Sequence, residues 1–427
     1  MDASEITMAI QDRLCQAATL LVYQGVLGDR IGKSFLELLE SLSTQDRLTC
    51  LYAYGRWFQA LAARGQSWQE YLVAQILADA NPFSQQAQQV PLTDLPAPLV
   101  AAAQQDLMVL HSLYQFSGEQ IAKWVQIAAQ LSAPPVAWNS GKIADTPPIF
   151  TSLATLAAHY RQHGVGIFAG DRAFRWQSGK LVGIHHPDPI QLSELVGCES
   201  QKAVLLQNTD FLLAGYPALH VLLYGSRGAG KSSLVKALLN HYRESQLRLI
   251  EVAKSDLADL PAIADQLRPV PQKFILFVDD LSFEEDDEAF KALKVVLEGN
   301  ITARPQNLVV YATSNRRHLI REFFGDRPRP RDADEIQVWD TVQEKLSFSD
   351  RFGLSLTFEP ADQTTYLEII HHLAAQAKIN LTPEDLEYRA LQWATRHNGR
   401  SGRTARQFID FLRSELAISE PSISRVC

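Results

Sequence analysis

Apolar residues recur near a 3.6-residue period through the first third of the chain and give way to short unbroken apolar runs in the second half. Within 1–145, Ile10, Leu14, Ala17, Ala18, Leu21 and Tyr23 form one stripe, and Phe35, Leu38, Leu39 and Leu42 form another. That spacing buries one face of an amphipathic helix, so this region is expected to be all-α. Further helical patterns surround Trp57, Tyr71 and 107–113. Trp57, Trp68 and Trp124 keep helical spacing and are expected in the core rather than on a partner surface. Pro91, Pro96 and Pro98, beside the glutamine-rich 85–89, mark a loop. The segment 146–190 is expected to be a linker carrying a helix at about 151–162 and a β-hairpin. Its two strands, Ala173 to Trp176 and Lys180 to Ile184, flank Gln177-Ser178-Gly179.

From about residue 191 the runs Val221 to Tyr224, Leu247 to Val252, Phe274 to Val278, Leu308 to Ala312 and Ser355 to Phe358 alternate with helical patterns. Such alternation predicts an α/β fold with a largely parallel sheet over 191–360, with ligands at the carboxyl ends of its strands. After Pro360 the pattern turns helical again. Thr382-Pro383-Glu384-Asp385 supplies a cap, a first-turn proline and acids near the positive end of the helix dipole. Residues 361–427 are therefore expected to form a small separate helical domain.

The first of these loops carries recognisable chemistry. Gly225-Ser226-Arg227-Gly228-Ala229-Gly230-Lys231-Ser232 fits G-x-x-x-x-G-K-[ST] between an apolar run and a helix that opens at Ser233. Three glycines let backbone N–H groups turn inward on phosphates, and the helix start adds partial positive charge. Lys231 is expected to reach the β and γ phosphates of ATP, and the Ser232 hydroxyl to ligate Mg²⁺. The run ending in Val278 closes on Asp279 and Asp280. Asp279 stands where a carboxylate orients Mg²⁺, and Asp280 where one polarises the attacking water. The run 308–312 ends in Thr313-Ser314-Asn315, neutral groups able to bond the γ-phosphate or the water without titrating. The acidic run 284–288 is expected to start a solvated helix, and His185-His186 to lie in a solvated loop rather than form a metal pair.

Composition narrows the classes without naming one. With 46% hydrophobic and 21% charged residues the chain reads as ordinary globular protein, and its net charge of −8 gives no general attraction to nucleic acid or anionic membranes. Residues 1–150 hold 8 basic against 13 acidic residues, a net of −5, which excludes a DNA-binding arm. Cys15, Cys50, Cys198 and Cys427 lack C-x-x-C spacing, so neither a zinc site nor a disulfide framework is expected. The acidic start and the lack of a long apolar run point to a cytoplasmic protein with no membrane span.

Taken in order, these motifs resemble those of AAA+ ATPases across about 190–420. Asp279-Asp280-Leu281-Ser282-Phe283, residues 313–319 and residues 346–353 more narrowly resemble a bacterial family of predicted AAA+ ATPases of uncharacterised role. The resemblance implies a P-loop NTPase core with a C-terminal helical lid, binding ATP with Mg²⁺. It implies that Leu195, Val196 and Gly197 pack on adenine and that Asn315 is the first sensor. Arg351 becomes a finger entering a neighbouring subunit's site. Arg403 becomes the second sensor, with Arg406 as its competitor. A homo-oligomer that remodels or loads a macromolecular partner, an unknown protein rather than nucleic acid, follows, with a weakly hydrolysing switch or scaffold as the alternative. Two departures bear on mechanism. Asp280 replaces the usual glutamate, and 253–273 holds no aromatic residue, which disfavours polypeptide threading. The basic residues Arg316, Arg317, His318, Arg321, Arg327, Arg329 and Arg331 could touch nucleic acid, the less favoured partner, or serve as intersubunit pairs and a solvated loop.

Overall fold

The computed structural model describes residues 3–44, 46–138, 147–283, 288–298, 305–315, 351–397 and 399–419. It divides into two compact units, Met1–Gly170 and Asp171–Cys427. The acidic run at 284–287 and the basic residues of 316–331 lie outside the described residues.

In the first unit the described residues form helices and connecting turns. Phe35 of the helix Arg30–Thr44 stacks on Trp68 at 3.8 Å between ring centroids, with Trp57 and Trp124 buried in the same core. Burying such rings removes the largest apolar areas the chain has, which is why helical spacing placed them inside. Asp106, fully buried, accepts from the backbone N–H groups of Leu21, Val22 and Tyr23 at 2.7–3.0 Å, just beyond the end of the helix Ala3–Ala18. The glutamine-rich stretch beside the expected loop begins within a short helix, Pro82–Ala87. Asn81 caps it by accepting from Phe83 and Ser84, and Pro82 presets its first turn. The helix Leu153–His163, expected within a linker, contributes Leu156, Ala157 and Tyr160 to this core. The Tyr160 hydroxyl donates to the Ile76 carbonyl at 2.8 Å.

The second unit is built on a sheet whose described strands are β1 (Ala173–Gln177), β2 (Lys180–Gly183), β3 (Val221–Gly225), β4 (Leu247–Glu251), β5 (Lys273–Val278), β6 (Leu308–Ser314) and β7 (Leu354–Phe358). Their order is β2-β1-β4-β5-β6-β3-β7, parallel except for the β1–β2 hairpin. The hairpin turns on Ser178 and Gly179, both at positive φ (51° and 74°), the twist a two-residue turn requires. So the hairpin of the expected linker is an integral part of the sheet. Every residue of β6 is buried, as are five of the six in β5. The edge strands β2 and β7 show alternating exposure. Central parallel strands are covered on both faces and read as continuous apolar runs, whereas edges alternate.

The helices Gln363–Gln376, Pro383–Arg396 and Gly402–Ser419 form the lid around Tyr366, Ile370, Leu386 and Phe408. Thr382 caps the second of them by accepting from the Asp385 N–H at 3.3 Å. Among the described residues, no helix is long and apolar enough to cross a membrane.

Candidate functional site

Because β5, β6 and β3 are adjacent and parallel, their carboxyl ends lie side by side, roughly 4.8 Å from one strand to the next. The acid pair, Asn315 and the phosphate loop follow these three ends in that order. Strand order therefore forms the contact row that the sequence could only list. Asn315 Nδ2 donates to Asp280 Oδ1 at 2.6 Å, and Lys231 Nζ donates to Asn315 Oδ1 at 3.3 Å.

Two glycines make the loop's path obligatory. A Cβ at Gly225 (φ +129°) would collide with the Phe358 carbonyl oxygen, which accepts from Ser226 N–H at 2.9 Å. A Cβ at Gly228 (φ +74°) would stand 2.9 Å from Ser401 Oγ of the lid. Lys231 opens the helix Lys231–His241. Its ammonium also donates to the Gly225 and Ser226 carbonyls at 2.9 and 2.7 Å. Burial pushes the Lys231 pKa down, while Asp280 and Asp279 pull it back up. Ser232 Oγ donates to Asp279 Oδ1 at 2.6 Å. The same carboxylate oxygen accepts from Thr313 Oγ1 at 2.5 Å.

These groups border a cleft of about 1290 Å³ between the sheet and the lid. Ser226, Arg227, Gly228, Ala229, Gly230, Lys231, Ser232 and Ser233 line it, as do Asp279, Asp280, Asn315 and Arg403. Val196 and Gly197 line the same cleft, as do the apolar Ile369 and Leu373 of the lid. The lid meets the phosphate loop directly, since Arg403 N–H donates to the Gly228 carbonyl at 3.3 Å. Arg406, which with Glu194 also lines the cleft, pairs with Glu194 at 2.6 Å.

Of the residues singled out in the sequence, Arg351 lies outside this cleft. It precedes β7 at the sheet's amino end, because Leu354 pairs with Val221 and Phe358 with Gly225. Four residue steps, roughly 13 Å, separate that end from its own phosphate loop. Ser314, read as one of three polar groups at the strand end, is 1% exposed and donates to the Leu281 carbonyl at 2.8 Å. The sequence missed the Arg406–Glu194 pair and the link between Thr313 and the acid pair. Hydroxyls at the end of β6 were the visible signal for the latter, and nothing local announces a partner 212 residues away. His185, in the loop after β2, pairs with Asp171 at 2.9 Å.

The sheet order, glycine loop, acidic strand end and helical lid define a P-loop NTPase of the AAA+ class with an all-α N-terminal region. The chain belongs to the family described as "Protein of unknown function (DUF815)", which matches residues 169–416. The ATP-dependent zinc metalloprotease FtsH of Aquifex aeolicus (strain VF5) is 24% identical over 333 residues, 67% of this chain and 51% of that protein. The chain thus spans about half the length of that curated relative. Among solved structures, the RuvB Holliday junction branch migration motor of Thermotoga maritima is 19% identical. It covers 54% of this chain and 66% of its own, with a TM-score of 0.38. The FIGL-1 AAA domain in complex with ADP is 18% identical and covers 57% of this chain and 79% of its own, with a TM-score of 0.35.

Proposed function

We propose that this chain binds ATP with Mg²⁺ and hydrolyses it as an assembly of identical subunits, using the cycle to remodel or load a protein partner in the cytoplasm. The observation that carries the reading is the row Asp280, Asn315, Lys231 along three adjacent strand ends, facing the glycine loop. The residues suit the ligand: the loop's positions 225 and 228 have no room for a Cβ, and a hydroxyl and a carboxylate, Ser232 and Asp279, meet at 2.6 Å beside it. In this reading Lys231, Arg403 and the loop amides hold the phosphates, Val196 and Gly197 hold the base, and Ser232 and Asp279 hold the metal. Bound Mg²⁺ supplies charge compensation on the phosphate oxygens. Asp280 polarises the attacking water and Asn315 orients it. Arg351 precedes β7 at the amino end of the sheet, four residue steps from its own loop, so in this reading it acts as a finger on a second copy of the chain.

The test is steady-state ATP hydrolysis per subunit across a wide range of protein concentration, with Lys231→Ala as the blank. Specific activity is expected to climb with concentration, and Arg351→Ala to abolish the climb while leaving ATP binding intact. Turnover per subunit unchanged in Arg351→Ala would remove the finger assignment.

A second reading, a switch or scaffold that hydrolyses little, draws on Asp280 itself. The side chain is one methylene short of glutamate, sits at φ +51° and is already bonded to Asn315. Asp280→Glu raises turnover if the short acid is the limitation, and no gain counts against that explanation.

A further inference from the structure

β6 ends inside the sheet, and its last side chains must find partners there. Thr313 is 2% exposed, so its hydroxyl has to be satisfied by protein. A hydroxyl has one proton to give and lone pairs with which to accept. Thr313 uses both: Oγ1 donates to Asp279 Oδ1 at 2.5 Å and accepts from the Asp280 N–H at 2.9 Å. One side chain on β6 thus holds the carboxylate of the first acid and the backbone of the second.

The backbone it holds needs holding. Asp280 lies at φ +51°, a left-handed conformation in which an L-residue's Cβ crowds the following carbonyl oxygen. Among the described residues, three bonds from the end of β6 hold this turn. The Thr313 hydroxyl takes the Asp280 N–H, the Thr313 carbonyl takes the Leu281 N–H at 2.7 Å, and Ser314 Oγ donates to the Leu281 carbonyl at 2.8 Å. Asp279 Oδ1 meanwhile receives a second hydroxyl, that of Ser232. Ser232, Asp279 and Thr313 form a continuous chain from the phosphate loop across to β6.

We propose that Thr313 is the positioning residue of this site, setting the Asp279–Asp280 pair in the arrangement that accepts Mg²⁺ beside a nucleotide. The assignment rests on the nucleotide-site reading above. Thr313 acts through the two acids, so its removal weakens the metal-dependent part of nucleotide binding and spares the metal-independent part. Partners that orient metal-binding carboxylates are typically worth 10- to 100-fold in metal affinity.

The test is calorimetric titration of ADP into the full chain, first in EDTA and then across a series of MgCl₂ concentrations, for wild type, Thr313→Val and Thr313→Ser. Valine keeps the shape and removes both bonds, whereas serine keeps the hydroxyl. The expected result is equal ADP affinity in EDTA for all three, with the Mg²⁺ concentration for half-maximal enhancement raised roughly tenfold in Thr313→Val and within about twofold of wild type in Thr313→Ser. If valine destabilises the fold, seen as lost ADP binding in EDTA, Thr313→Ala serves as the hydroxyl-deleted variant under the same criteria. Coincident Mg²⁺ curves, or a serine variant as impaired as the hydroxyl-deleted one, overturn the assignment and leave the nucleotide site standing. A wild-type chain that binds no ADP in either medium overturns both.

Discussion

Asn315 offers the sharpest check on the proposed chemistry, because its amide joins two charged groups with opposite tasks. Asn315→Ala removes the 2.6 Å bond to Asp280 and the 3.3 Å contact with Lys231. A hydrogen bond to a charged group contributes about 1.5–3 kcal/mol, and for this partly exposed amide about 2 kcal/mol is a fair figure. At 1.36 kcal/mol per factor of ten, that corresponds to a roughly 30-fold fall in kcat if the orientation of Asp280 matters in the transition state. The Lys231 contact is long, and the lysine keeps two carbonyl partners, so ADP affinity is expected to move by no more than about twofold. Steady-state turnover measured beside ADP titration separates the two effects. A kcat within about threefold of wild type, or an ADP affinity falling as far as kcat, would refute the reasoning.

Three further predictions concern the lid and the helical unit. Arg406→Ala breaks the pair with Glu194, worth about 0.5–1 kcal/mol at its partial exposure, and should speed ADP release about two- to fivefold in stopped-flow chase if the pair helps hold the lid over the cleft; an unchanged rate refutes that role. Asp106→Asn leaves one carbonyl oxygen facing three backbone donors, so the melting temperature of the helical unit should fall by on the order of 6–12 °C for a loss of about 3 kcal/mol, and a shift under about 1 °C would exclude this role. Asp362 caps the helix Gln363–Gln376, and the bond from the Thr365 backbone, with that residue's hydroxyl, holds its carboxyl below the ordinary value. A lowered carboxyl stabilises above its unfolded pKa, about 3.9, and loses that contribution as pH falls through the lowered value, so the melting difference between wild type and Asp362→Ala should be full near pH 6 and vanish in strong acid; a difference that persists there refutes the titration.

Much of this protein was legible along the chain. Continuous apolar runs marked β5 and β6, since a strand covered on both faces admits no polar alternation. The glycine loop announced itself because backbone passing so close to Phe358 and Ser401 tolerates no Cβ, and that demand is written in residue types at fixed spacing. Helical spacing likewise placed Trp57, Trp68 and Trp124 in a core.

Other features had no local signature. The hairpin 173–183 read as linker because a short amphipathic pair looks the same free or docked, and only its pairing with β4 made it part of the sheet. The helix 153–163 joined the first unit through Tyr160, whose partners Tyr23 and Ile76 lie 137 and 84 residues away. Arg403 and Arg406 look alike as sequence, and only the fold shows that Arg403 N–H meets the Gly228 carbonyl while Arg406 pairs with Glu194. The sequence by itself determined which residues carry chemistry, because glycine conformation, carboxylates at strand ends and burial patterns are local properties. The tertiary structure decided which of them meet, because strand order sets Asp280, Asn315 and Lys231 in one row and turns Arg351 to the opposite end of the sheet.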